Sequence, residues 1–91
     1  MKTRTYRELE RIAKGFANHR RIEIMELLKK TPELSLDNIS EILNINYKTA
    51  SEHIRRLVIP GLVIKRSVGN NVCHKLTSRA QSVLKFLRTL E

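Results

Sequence analysis

From Asn46 to Arg56 the chain reads NYKTASEHIRR, and Tyr47, Lys48, Ser51, Glu52 and Arg55 recur at spacings of three and four. On a helix that spacing puts them on one face, opposite the apolar positions Ala50, Ile54, Leu57 and Val58. Every side chain on that face can hydrogen-bond or stack, and the mixture suits a polyanion that carries bases. Lys48, Arg55 and Arg56 fit phosphates; Asn46, Tyr47, Thr49, Ser51 and Glu52 are candidates for base edges or backbone. Arg56 has the alternative of packing towards the hairpin that follows. Glu52 would be repelled by phosphates unless it accepts from cytosine N4 or pairs with a neighbouring arginine. The bland alternative, a solvated face of an amphipathic helix, is the usual fate of such charges. It is weakened here by a second basic group nearby in sequence.

That second group is Lys65, Arg66 and Lys75, on two β-branched runs at residues 62–67 and 72–77. Val68-Gly69-Asn70-Asn71 joins them and contains residue types that accept positive φ, so a β-hairpin is expected. Gly69, Asn70 and Asn71 form its tip. Small polar tips fit a narrow groove, but the same residues are also simply good turn formers, and both readings stand.

The elements that must hold these groups follow from periodicity. Ile39, Ile42 and Leu43 mark a helix stripe just before the basic face, with Ser35 or Asp37 able to serve its N-terminus. Asn44-Ile45-Asn46 joins the two helices: Asn44 can take a left-handed C-cap, Ile45 can plug the angle, and Asn46 can cap the next helix. Upstream, residues 6–17 form an amphipathic helix with Leu9, Ile12, Ala13 and Phe16 on one side; Gly15 is expected to fray or bend it. Asn18 caps a second helix with Ile22, Ile24, Met25, Leu27 and Leu28 on a broad apolar face, ending before Pro32. Thr77 or Ser78 caps a last helix over residues 78–90, lined by Ala80, Val83, Leu84, Leu87 and Leu90. The expected fold class is α+β, mainly α with a small β-hairpin: a helix-turn-helix with a wing, in the order α-α-α-α-β-β-α. A very short extra strand fits near residues 34–36.

Ninety-one residues make one domain with one modest core, and the whole chain is read so. There are 18 Lys and Arg against 9 Asp and Glu, net charge +9, and a sequence pI near 10.3. Between Glu52 and Glu91 no acidic residue occurs while eight basic ones do, so one face should be basic, as a nucleic-acid partner requires. No apolar run of ~18 residues exists, and MKTRTYRELER lacks the apolar core of a signal peptide. A cytoplasmic, nucleoid-associated protein with no membrane partner is expected. Cys73 alone makes no internal disulfide and reads as a small apolar filler. No Gly-rich phosphate loop, His-Glu-x-x-His or partnered nucleophile is present, so no enzyme and no cofactor are expected. His19, His53, His74 and Cys73 lack metal-ligand spacing.

From Phe16 to Ala80 the chain resembles the ArsR-type winged helix-turn-helix repressors. The resemblance rests on FANHRRIEIMELL at residues 16–28, INYKTASEHIRRL at residues 45–57 and Gly61-Leu62-Val63 before the wing, in the family's order. It implies a homodimeric, duplex-binding regulator, with the second motif helix in the major groove, the wing on flanking backbone or minor groove, and terminal helices at the dimer interface. The family's sensor sites are not implied. Ser35 and Asp37 stand where a Cys-x-Cys pair would begin the first motif helix, and residues 78–90 contain no Asp, Glu or His.

The residues left over agree with self-association. Leu9, Ile12 and Phe16 at one end, and Val83, Leu84, Leu87 and Leu90 at the other, form helical stripes beyond what motif and wing need. Both helices packing onto their own core would explain the same pattern. The expected function is a sequence-specific double-stranded DNA-binding transcriptional regulator, a homodimeric repressor without metal sensing. The alternatives are a non-specific DNA- or RNA-binding architectural protein and a winged-helix protein-interaction module.

Overall fold

A computed structural model describes residues 3–91 and shows five helices and a three-stranded sheet. The order is α1 (Tyr6–Phe16), α2 (His19–Lys30), β1 (Leu34–Ser35), α3 (Leu36–Leu43), α4 (Tyr47–Val58), β2 (Val63–Val68), β3 (Asn71–Leu76) and α5 (Ser78–Arg88). The expected architecture, including the short extra strand, is what forms.

Each helix starts on a side chain that satisfies backbone N–H groups otherwise left without partners. Asn18 accepts from the N–H groups of Arg20 and Arg21, Asn46 from those of Lys48 and Thr49, and Thr77 from that of Ala80. Ser35 and Asn38 form a capping box on α3. Thr5 and Glu8 form another on α1, which the sequence reading missed.

Asn44 takes the left-handed conformation, φ 52° and ψ 50°; its N–H bonds the Glu41 carbonyl, and the Ile45 N–H bonds that of Ser40. The end of α4 repeats the device with Gly61, φ 76°: Gly61 N–H bonds the Val58 carbonyl and Leu62 N–H that of Leu57. Leu57 and Leu62, which flank this turn, are both fully buried, so the turn also delivers the wing to the core.

The core joins Ile24, Met25 and Leu28 of α2, Ile39 of α3, and Ala50, Ile54 and Leu57 of α4. Leu62, Val63, Leu76, Ala80 and Leu84 complete it. Helix α1 lies outside, with Ile12 and Phe16 packed on this cluster. Gly15 does not break α1, which runs unbroken to Phe16. A Cβ there would lie 2.5 Å from Pro60 Cγ, so the missing side chain is what lets α1 approach α4. Ile42 departs from the expected stripe: in a helix of eight residues Ile39 and Leu43 face inward, and Ile42 turns 55% exposed to solvent.

In the sheet β3 is central, in the order β1-β3-β2, all antiparallel. Val68 pairs with Asn71, so the hairpin loop is Gly69-Asn70 alone, two residues shorter than expected; Gly69, φ 62°, makes the tight reversal. Helix α5 ends at Arg88, short of Leu90.

Candidate nucleic-acid interface

The solvent face of α4 is built as its spacing requires. Ala50, Ile54 and Leu57 are buried, and Tyr47, Lys48, Thr49, Ser51, Glu52, Arg55 and Arg56 are exposed. Asn46 sits at its start, but its amide oxygen is committed to two backbone N–H groups, which leaves only the NH2 for a ligand. Ser40 Oγ donates to the Ile45 carbonyl at 2.6 Å and so ties the turn to α3.

Glu52 organises the middle of the face. Arg55 donates to it through Nη2 at 2.9 Å and Nε at 3.2 Å, and Arg56 through Nε at 3.0 Å. Those hydrogen bonds, Arg55's first, hold its carboxyl down at about 2. Of the two ways Glu52 could be tolerated, the structure shows the arginine pairing. Arg56 does not turn towards the wing. It lines a hollow with Arg7, Glu10, Arg11 and Lys14 of α1.

The hairpin divides its candidates between two faces, because opposed residues of an antiparallel pair share a side and successive residues alternate. Lys65 opposes His74, and with Asn70 and Asn71 it lines a hollow that also holds Tyr47, Ser35, Leu36 and Asp37. This brings the wing to the start of α4 and adds the α3 N-terminus, which sequence reasoning missed because only strand pairing reveals it. Arg66 and Lys75 lie on the other face, and so by register does Asn71, which borders the hollow at the end of the ladder. Arg66 reaches Glu33 at 3.0 Å, and Lys75 lies beside Leu28, Lys29, Pro32 and Gln81.

The wing is pinned through His74, the one buried polar residue among the described residues, whose Nδ1 lies 3.0 Å from the Leu34 carbonyl. Burial pushes its pKa down, the Leu34 hydrogen bond pulls it up, and the Lys65 charge lowers it; the net shift is down. His53 is half-buried and also shifted down, first by burial and then by Arg21 and Arg20. Among the described residues no three His, Cys, Asp or Glu side chains group as metal ligands would.

The family model described as "Bacterial regulatory protein, arsR family" matches residues 18–65, more than half of the chain. The chain belongs to the arsR family. This ArsR-family chain is therefore a winged helix-turn-helix DNA-binding domain of a transcriptional regulator. None of the curated proteins matches it.

Among solved structures, the homodimeric winged helix-turn-helix DNA-binding domain of Mb0332 from Mycobacterium bovis superposes with a TM-score of 0.83. It is 24% identical over 99% of this chain and 89% of its own. HlyU from Vibrio cholerae gives a TM-score of 0.79 at 27% identity, over 92% of this chain and 91% of its own. The transcriptional repressor PagR of Bacillus anthracis gives 0.79 at 22% identity, over 91% of this chain and 99% of its own. The ArsR-type resemblance read from residues 16–80 thus agrees with the family match, and the winged helix-turn-helix with the fold. Among the described residues no helix is long and apolar enough to cross a membrane.

Proposed function

We propose that this ArsR-family protein is a sequence-specific repressor that binds a pseudo-palindromic duplex as a homodimer. The single observation that carries this reading is the exposed polar face of α4 with Lys65, Asn70 and Asn71 of the wing gathered beside Tyr47 at its start. A helix entering the major groove and a wing on the flanking backbone would use that surface. Lys48, Thr49, Ser51 and Arg55 meet the duplex first; Arg66, held by Glu33, and Lys75, on the opposite sheet face, stand outside the central contact.

The dimer reading is supported by the apolar groups left exposed on the terminal helices. Leu9 is 50% exposed, with the exposed Tyr6 one turn before it on α1, while Phe86 on α5 is 56% exposed and Leu90, just past the end of α5, 66%. Val83 and Leu87 are half-buried and can be shared between core and interface, whereas Leu84 is 1% exposed and belongs to the protomer's own core. Ile12 and Phe16 likewise spend most of their surface inside. Two-fold pairing would set the recognition helices about 34 Å apart. The homodimeric state of the Mycobacterium bovis domain and the repressor role of PagR point the same way. Ser35 and Asp37 at the start of α3, which are poor soft-metal ligands, favour an effector other than a thiophilic metal.

The test is selection of bound duplexes from a random pool, comparing the winner with scrambled DNA at two salt concentrations. Lys48→Ala with Arg55→Ala serves as the control variant. Enrichment of a two-fold site, lost in the double variant, is expected. Steep salt dependence with no enriched sequence would favour a non-specific binder. Absence of duplex binding would favour a protein-docking module.

A further inference from the structure

The α4 reading leaves Arg7 and Arg11 of α1 unused and engages Arg56 only at its edge, through Glu52. Arg7, Arg11 and Arg56 line one hollow between α1 and the C-terminal end of α4, of about 500 Å3, together with Glu10, Lys14, Gly15, Ile59 and Pro60. That volume is within the range of small-molecule sites, roughly 300–1,000 Å3. Four cations and one carboxylate line it. Lys14 already pairs with Glu10 at 3.2 Å, and Arg56 shares Glu52 with Arg55. Among the described residues Arg7 and Arg11 have no ion-pair partner.

Behind them Arg21 adds more positive charge: its Nη2 donates to the Lys14 carbonyl at 3.4 Å, while its Nε is buried without a partner. Burial, and then the charge of Arg56, lowers its pKa, so the two guanidinium groups oppose each other. The rest of the lining is apolar. Pro60 packs against Gly15, and Ile59 is left 60% exposed.

Grouped cations beside an apolar wall are complementary to an amphipathic anion. We propose that this hollow binds a small organic anion, its acid group taken by Arg7, Arg11 and Arg56 and its apolar body laid against Ile59 and Pro60. The site lies at the end of α4 away from the wing tip: Arg56 is nine residues along α4 from Tyr47, roughly 14 Å at the helical rise, and borders the duplex face only at Arg55. It is coupled to that face through one side chain. An anion that draws Arg56 away from Glu52 leaves the carboxylate to Arg55 alone, and so alters a residue of the proposed DNA contact. Only this coupling rests on the function proposed above; occupancy of the hollow does not.

The experiment is a titration of the ¹⁵N-labelled protein with benzoate and with octanoate, followed through the amides of Gly15, Ile59 and Gly61. Benzamide serves as the uncharged control and inorganic phosphate as the control without an apolar body. Saturable shifts confined to this hollow are expected. Affinity should fall at least tenfold for either control and for Arg7→Ala with Arg11→Ala, whose fold is checked by its amide spectrum. The proposal is overturned if neither acid saturates, if phosphate binds as well, or if the variant binds unchanged. It is also overturned if the same variant loses affinity for the selected duplex with a shallower salt dependence, because the arginines would then be phosphate contacts. A wild type that binds no duplex yet saturates with benzoate would defeat the repressor reading and leave this site standing.

Discussion

Glu52 decides how much of the α4 charge reaches a ligand. Its carboxylate, held at about 2, stays ionised at any working pH and neutralises part of Arg55 and Arg56. Replacing it by Gln should release both guanidinium groups. Glu52→Gln is expected to bind random duplex roughly tenfold more tightly at low salt, with a steeper salt dependence, as fluorescence anisotropy would show. Unchanged affinity would mean that both arginines are already free in solution.

His74 makes a second prediction at this scale. Its folded pKa lies below its ordinary 6.5, so the unfolded chain binds the proton more readily than the folded one. Stability is therefore full above about 6.5 and is lost as pH falls from there towards the folded pKa. His53 contributes with the same sign. The lowered carboxylates, Glu8 and Glu52, act only at more acidic pH, because their ordinary value is 4.5. Urea denaturation between pH 7.5 and 5 should thus show falling stability, and His74→Gln should flatten the slope.

At the scale of elements, one close contact sets the approach of α1 to the end of α4, and two hydrogen bonds fix the turn that leads from α4 into the wing. Gly15 admits Pro60, and an added Cβ would meet the Pro60 ring at 2.5 Å and the Arg56 carbonyl at 3.4 Å. In an isolated helix Gly→Ala gains about 1 kcal/mol. Here the ring cannot rotate away, and overpacking typically costs 1–3 kcal/mol, so Gly15→Ala should lower the unfolding free energy by about 1 kcal/mol or more. A stabilised variant would show that α1 shifts freely. The wing is held by Thr77, whose Oγ1 donates to the Gly61 carbonyl at 2.7 Å, and by Arg79, whose Nη1 donates to the Pro60 carbonyl at 2.7 Å. These bonds fasten α5 to the turn that ends α4. Recognition helix, wing and last helix therefore converge on one corner, which also borders the hollow assigned to the anion.

For the whole molecule the deciding question is which apolar groups the protomer keeps for itself. Phe86 and Leu90 lie outside the core that Ala80 and Leu84 complete. Phe86→Glu with Leu90→Glu should leave the fold intact and give a monomer by sedimentation at tens of micromolar, where the wild type is expected to sediment as a dimer. Leu84→Ala should instead destabilise by about 2–5 kcal/mol, because it empties a filled site. A double variant that sediments like the wild type would move the interface off α5. Dimer loss should also weaken binding to a two-fold site far more than to a half-site, since linked sites gain from effective concentration.

Local chemistry made much of this legible in the sequence. Asn18, Ser35, Asn46 and Thr77 cap their helices because a side-chain oxygen reaches an N–H two or three residues away, a relation that needs no tertiary context. Asn44 and Gly69 mark positive φ for the same reason, and period alone separated the two faces of α4. What remained hidden depends on partners far along the chain. Gly15 looks like a helix breaker until Pro60, 45 residues later, is seen against it. Arg66 and Lys75 look like companions of Lys65 until register assigns them to the other sheet face. Leu84 and Leu90 stand on the same expected stripe of the last helix, and only packing determines that Leu84 becomes core and Leu90 surface. Caps, turns and helical faces are short-range properties that the sequence determined by itself. The choice of partners across the fold, and with it the split of α4 between the proposed duplex face and the proposed anion-binding end, belongs to the tertiary structure, because it depends on which distant surfaces exclude water together.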